Sequence, residues 1–305
     1  MSDQDQLQWE ARFGRLAAIA AFAAGFLLLA GTFALQSIFE NRRGIEPLPD
    51  FLLSINDSPG TLLLSAALQA ASALSLIGVF YYLFRAIIHR SPQVPRWFVY
   101  LIVIGPLFYA VSQVIGAVDR VDVAETFADR SSNVDECPAI RGQAGDDCAD
   151  KLLRDDVNPV AVALSLSGSV ATAFLFVMLP LRARRSGLMS QFMAILGVIA
   201  GALMVLRLMP LVPEIVQAFW LGAVGSLFLG KWPGGRGPAW ETGQPDPWPS
   251  AAARRGLVPA GSGSEEGASN GGGSRANGSR EPAEPAEPEP APQRPSSRKR
   301  RRKGR

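Results

Sequence analysis

The chain of 305 residues holds one histidine and two cysteines. A single histidine, His89, cannot build a histidine-rich metal centre, and two cysteines without a nearby histidine make a poor zinc site. One possible disulfide also excludes a multiply stapled miniprotein. HExxH, GxSxG and GxxxxGK[ST] are all missing, so the spacings that serve zinc hydrolysis, a serine nucleophile and a phosphate cradle are not here. The scarcest property is charge within the apolar runs. Proton relays and ion-coupled pumps need ionisable groups at membrane depth, and the central portions of these runs contain none. No cofactor is expected, and an intramembrane enzyme is the weakest of the functional readings.

What is present is long stretches of apolar sequence. Arg15 to Glu40 encloses 24 uncharged residues, Asp57 to Arg85 encloses 27, and Arg96 to Asp119 encloses 22. Asp156 to Arg182 encloses 25 and Arg185 to Arg207 encloses 21. Glu214 to Lys231 encloses 16, extended by Leu211 and Val212 on the far side of Glu214. At about 1.5 Å per residue, ~20 apolar residues cross a hydrocarbon core of roughly 30 Å. The pattern predicts an all-α, polytopic transmembrane helical bundle of six spans, over 16–39, 59–84, 97–118, 159–181, 187–206 and 211–230. The first run is too long for the apolar region of a signal peptide and is read as a retained span. Ser58-Pro59 and Asn158-Pro159 each set a capping residue before a proline, which marks helix starts.

Lys and Arg collect in cytoplasmic loops. With residues 1–15 inside, the inner segments hold Arg12 and Arg15, then Arg85, Arg90 and Arg96, then Arg182, Arg184 and Arg185. The outer side receives Arg42 and Arg43, an acidic loop, 119–156, with 11 acids and 5 bases, and Arg207. Both ends are therefore expected in the cytoplasm. Cys137 and Cys148 fall in that outer loop, where a disulfide could form; the alternative is two unpaired thiols. The loop's acids, read as a solvated face, do not match the spacing of an EF-hand calcium loop.

Residues 1–230 carry a net charge of −3 and residues 231–305 a net of +6, so the basic pI near 9.1 belongs to the tail. Residues 231–305 are expected to be a disordered cytoplasmic tail, poor in apolar side chains. Residues 281–292 read EPAEPAEPEPAP, an extended acidic spacer. Residues 294–305 hold eight Lys or Arg, among them Arg298, Lys299, Arg300, Arg301, Arg302, Lys303 and Arg305. Three readings stay open for this end: a solvated cationic segment, contact with anionic lipid headgroups, or non-specific contact with a polyanion such as RNA. Nucleic acid is the weakest of the three. Trp232, Trp240 and Trp248 recur every eight residues and are expected along the inner membrane surface, with Trp232 touching lipid.

Polar, uncharged side chains line some span faces at helical spacing. They are Ser65, Gln69, Ser72 and Ser75 in the second span, and Ser112 and Gln113 with Tyr109 and Gly116 in the third. Ser165, Ser169 and Thr172 continue the pattern in the fourth. Such faces either hydrogen-bond neighbouring helices or line a polar path or headgroup pocket. Gly105-Pro106 predicts a kink at Pro106, since proline removes a helical N–H. Gly197 and Gly201 form a GxxxG pair, expected to pack within the bundle. Arg207 and Glu214 flank a proline turn, where they could pair across the hairpin neck and, less directly, serve a ligand.

The sequence FMAILGVIAG, followed by IVQAFWLGAVGSLFLGKWPGG and PAWETGQPDPWPS, runs through residues 192–250. This stretch resembles the end of a group of uncharacterised six-span integral membrane proteins from high-GC actinobacteria. The resemblance implies a bacterial plasma membrane and supplies no catalytic residue.

The expected function is a non-enzymatic membrane component that organises or regulates partners, in a lipid bilayer and with its protein partners undefined. The alternative is a facilitator or binder of a small neutral or lipid-like solute, using the Ser and Gln faces.

Overall fold

Without water, backbone polar groups are satisfied within helices or closed barrels, and uncharged runs of more than about 20 residues fit the helix rather than the strand. The computed structural model describes residues 2–39, 48–91, 93–131, 143–155, 158–206, 211–233 and 235–248. The chain divides into two units, Met1–Leu257 and Val258–Arg305, and all described residues belong to the first. In chain order the helices are α1 (Asp3–Phe39), α2 (Leu48–Asp57), α3 (Pro59–Arg90), α4 (Phe98–Ser131) and α5 (Gln143–Asp155). They continue as α6 (Pro159–Arg185), α7 (Gln191–Leu206), α8 (Val212–Phe228) and the single turn α9 (Ala239–Thr242). There is no strand among the described residues.

Local chemistry sets the helix ends. Pro59 and Pro159 open α3 and α6, where a fixed φ suits the helix and a missing N–H has no partner to lose. Asn158 caps α6, its side-chain oxygen accepting from the Val160 and Ala161 N–H groups. Ser58 precedes α3 without a side-chain bond. α6 and α8 close on left-handed glycines, Gly187 at φ 72° and Gly230 at φ 71°. Leu188 N–H then reaches the Ala183 carbonyl and Lys231 N–H the Ser226 carbonyl, the backward bonds of a Schellman end.

Four helices, α1, α3, α4 and α6, are long and apolar enough to cross a membrane. α7 and α8 are apolar but shorter, at 16 and 17 residues. Both fall below the expected 20 because their ends go to turn geometry: Gly187 to Ser190 leave α6 before α7 begins, and Gly230 turns the chain after α8. Large apolar side chains face outward along α1, where Leu16, Ile19, Phe26 and Phe33 are all more than half exposed. In water such a stripe is costly; in lipid it is the natural outer face.

The helices alternate in direction, which gives the bundle two unlike ends. The basic end carries Arg85, Arg90, Arg182 and Arg185; the acidic end carries α2, α5 and the last turns of α4. Close glycine crossings hold the middle. A Cβ on Gly168 of α6 would strike the Phe108–Tyr109 backbone of α4. Gly197 faces Pro180 and the Trp220 ring, and Gly201 faces the Ala173 carbonyl. The GxxxG pair therefore packs α7 against α6 and α8, inside the bundle.

The structure departs from the sequence expectations in three places. Residues 3–15, expected as an N-terminal segment ahead of the first span, are already part of α1, because Trp9, Phe13 and Glu10 pack onto α3. The acidic loop 119–156 is partly helical: α4 runs to Ser131, and α5 occupies 143–155. Apolar faces of α2, α4 and α5 make a second small core around Leu52, Ile55, Phe127 and Leu152. Cys148 packs on that core and is disulfide-bonded; Cys137 lies outside the described residues.

The third departure is the start of the tail. Ala239 and Trp240 are buried, and the Trp240 ring stacks on Tyr82 and donates through Nε1 to the Leu188 carbonyl at 2.9 Å. Trp232 and Trp248 are half-buried against the same core. The tail expected from residue 231 thus packs on the basic end through residue 248, because its aromatic rings find stacking partners there. Residues 249–305, with the EPA stretch and the basic residues Arg298 to Arg305, lie outside the described residues.

Candidate functional site

Serine and glutamine at helical spacing turn one face of each long helix polar, and the bundle brings several of these faces together. They surround a cavity of about 900 Å³ toward the acidic end, within the size range of ligand pockets. α3 contributes Ser65 and Gln69, α4 contributes Ser112, Gln113 and Gly116, and α6 contributes Ser165 and Ser169. Glu214 and Gln217, one turn apart on α8, close another side, and Asp119, Arg120 and Asn158 line the same space. Leu28, Leu62, Val162 and Met204 supply apolar wall between the polar groups.

The hydroxyl protons are largely spent on backbone. Ser65 donates to the Gly31 carbonyl of α1 at 2.8 Å and accepts from Gln69 Nε2 at 3.2 Å. Ser112 donates to the Tyr109 carbonyl at 2.8 Å, and Ser169 to the Leu166 carbonyl at 3.0 Å. Glu214 Oε2 is buried, with no hydrogen-bond partner among the described residues. Leu211, the residue before α8, takes a left-handed φ of 73°, a conformation L-residues seldom adopt and one that collects near functional sites.

Not every flagged residue reaches the cavity. Ser72 donates to the Ala24 carbonyl at 2.7 Å and joins α3 to α1, while Ser75 bonds the Ala71 carbonyl of its own helix. Thr172 is fully buried, its Oγ1 without a partner among the described residues. α4 continues through Pro106 as one helix. Of the Arg207–Glu214 pair, Glu214 lines the cavity and Arg207 lies outside the described residues. Among the described residues no group of three or more His, Cys, Asp or Glu could hold a metal ion.

A second constellation escaped sequence reading. At the basic end, Arg90 forms a two-pronged ion pair with Glu10, at 2.6 and 3.0 Å, and also donates to the Ala239 carbonyl. Gln6 donates to Glu10 Oε1 at 2.8 Å, and Tyr82 donates to the Glu10 carbonyl at 3.0 Å. Arg236 donates to the Leu227 and Phe228 carbonyls at the end of α8 and lies over Trp240. This cluster fixes the end of the bundle, and its Gln6 also lines a smaller pocket of about 570 Å³ with Arg85, His89 and Arg96. Both charges lie outside the uncharged runs, so neither stood out; an arginine closing one span and a glutamate before another were the available signal.

Comparison with family models, curated proteins and solved structures returns no match.

Proposed function

We propose that the chain is a six-span protein of a bacterial plasma membrane, with both ends cytoplasmic, that binds a small polar or lipid-like solute without transforming it. The observation that carries this reading is the convergence of polar faces from α3, α4, α6 and α8 on one cavity. Serines needed only for helix packing would meet partner helices, as Ser72 does. Ser165, Gln113 and Gly116 instead border open space. Six spans are supported by the apolar residues that α7 and α8 turn outward: Phe192, Ile195 and Ile199 on α7, and Val212, Ile215 and Phe219 on α8. The organising role acting through the tail rests on sequence alone.

Gly116→Leu tests the cavity. A Cβ at Gly116 meets nothing within 4 Å, so a larger side chain enters the cavity rather than a neighbouring helix, and leucine favours the helix by about 1 kcal/mol over glycine. The expected result is a protein at least as heat-stable as wild type that has lost solute binding or proteoliposome flux. Equal flux in wild type, Gly116→Leu and empty vesicles would overturn the reading.

A further inference from the structure

We infer that the solute held between α3, α4, α6 and α8 carries a primary ammonium group, seated against Glu214. This rests on the cavity reading above and adds the chemistry of the ligand. A hydroxyl offers one proton and two lone pairs. Ser65, Ser112 and Ser169 have committed their protons to main-chain carbonyls, so what they turn toward a ligand is acceptor oxygen. Gln69 gives one of its two amide N–H bonds to Ser65, and its carbonyl oxygen is a further acceptor. These groups make one side of the wall rich in acceptors, beside the donors that Arg120 and Gln113 bring to the same lining.

Glu214 adds a charge to that bias. Its Oε2 is shielded from solvent and meets no donor among the described residues, although a carboxylate oxygen can take more than one. Leaving a buried charged acceptor without a donor is more costly than leaving a neutral one. A group that satisfies both Glu214 and the serine oxygens must be cationic and must carry several N–H bonds. A primary ammonium has three donors and no acceptor. A quaternary ammonium supplies the charge without the donors, a neutral alcohol supplies a donor without the charge, and an anion meets two acids, Asp119 and Glu214, against the one base Arg120. Gln217, 9% exposed on the same face of α8, can accept from the same group through its amide oxygen.

An ammonium could arrive as a free amine or as the headgroup of an ethanolamine lipid. The test uses the full chain, purified in detergent and in nanodiscs. In detergent, ethanolamine is titrated against ethylene glycol and choline with thermal unfolding as the readout. In nanodiscs containing equal phosphatidylethanolamine and phosphatidylcholine, the lipids retained by the protein are measured by mass spectrometry. Ethanolamine should stabilise at roughly tenfold lower concentration than either analogue, as expected for a charged hydrogen bond against a neutral one. Glu214→Gln should remove that gap and leave the response to ethylene glycol in place.

A response to soluble ethanolamine supports a free amine, and selective retention of phosphatidylethanolamine supports a headgroup; either result sustains the assignment. Equal responses to ethanolamine and ethylene glycol, with no lipid preference, overturn the ammonium while the solute cavity stands. No response to any probe and no lipid retention overturn both. The wild-type comparison decides this by itself should Glu214→Gln fail to fold.

Discussion

Glu10 and Arg90 meet at 2.6 Å with side chains 3% and 0% exposed, an ion pair sealed between the first turns of α1 and the last turn of α3. Removing one partner leaves the other charged and buried, which costs about 3–5 kcal/mol. Glu10→Ala and Arg90→Ala should each be strongly destabilising, and the double variant should lose less than their sum. A double-mutant cycle followed by thermal unfolding in detergent should return a coupling of about 0.5–3 kcal/mol. Additive losses would mean the pair is incidental. Arg90→Lys should fail to substitute, because one ammonium cannot reach both the carboxylate and the Ala239 carbonyl as the guanidinium fork does.

Trp240 ties the segment after α8 to the rest of the bundle. It stacks on Tyr82, meets Phe228 edge-on and sits beneath Arg90 and Arg236. Trp240→Ala should lower stability by about 3–5 kcal/mol, the range for truncating a buried aromatic. Trp232→Ala, at a half-buried ring, should cost clearly less. Thermal denaturation of the two variants side by side reads the difference, and equal losses would place Trp240 at the surface.

The crossing of α4 and α6 depends on the absence of a side chain at Gly168. A Cβ there would lie 2.9 Å from the Phe108 carbonyl carbon, against backbone that cannot swing away. Gly168→Ala should therefore destabilise by about 1–3 kcal/mol through overpacking. Gly222→Ala is the control. Its Cβ meets nothing within 4 Å, so the substitution should gain about 0.5–1 kcal/mol by removing glycine from a helix interior.

Orientation is open to labelling in intact cells. Single cysteines introduced near Arg184 should resist a membrane-impermeant thiol reagent, and those near Gln143 should react. The reverse pattern would invert the proposed arrangement.

Much of this fold can be read from short signals. Pro59 and Pro159 mark the starts of α3 and α6 because proline acts locally, at the residue where it stands. Ser65, Gln69, Ser112 and Ser169 were visible as cavity candidates because polar side chains are conspicuous within apolar sequence. Which of them would face a cavity was not visible. Ser72 and Ser65 share a helix face and both bond carbonyls of α1, yet only Ser65 also borders the cavity. The Glu10–Arg90 pair depends on two helices coming together across 80 positions, and neither residue departs from its local pattern. Trp240 reads as interfacial because tryptophan favours the membrane–water interface and it follows the last span, yet its surroundings come from α3 and α8. The short helices α2 and α5 have amphipathic spacing of their own, but the acids along them give these stretches the look of solvated loops.

The bond from Arg90 to the Ala239 carbonyl spans 149 positions, which has a consequence for biogenesis. A ribosome delivers Glu10 and Arg90 early, so their pairing can form while the later helices are still unmade. The Ala239 oxygen emerges only after α8 has been synthesised. Until then the guanidinium has only Glu10 and the Ala86 carbonyl as acceptors, and the Tyr82 ring lacks its lid. Closure of that end is thus tied to completion of the last hydrophobic segment, and a chain halted before it would display an unfinished aromatic surface for quality-control proteases to recognise.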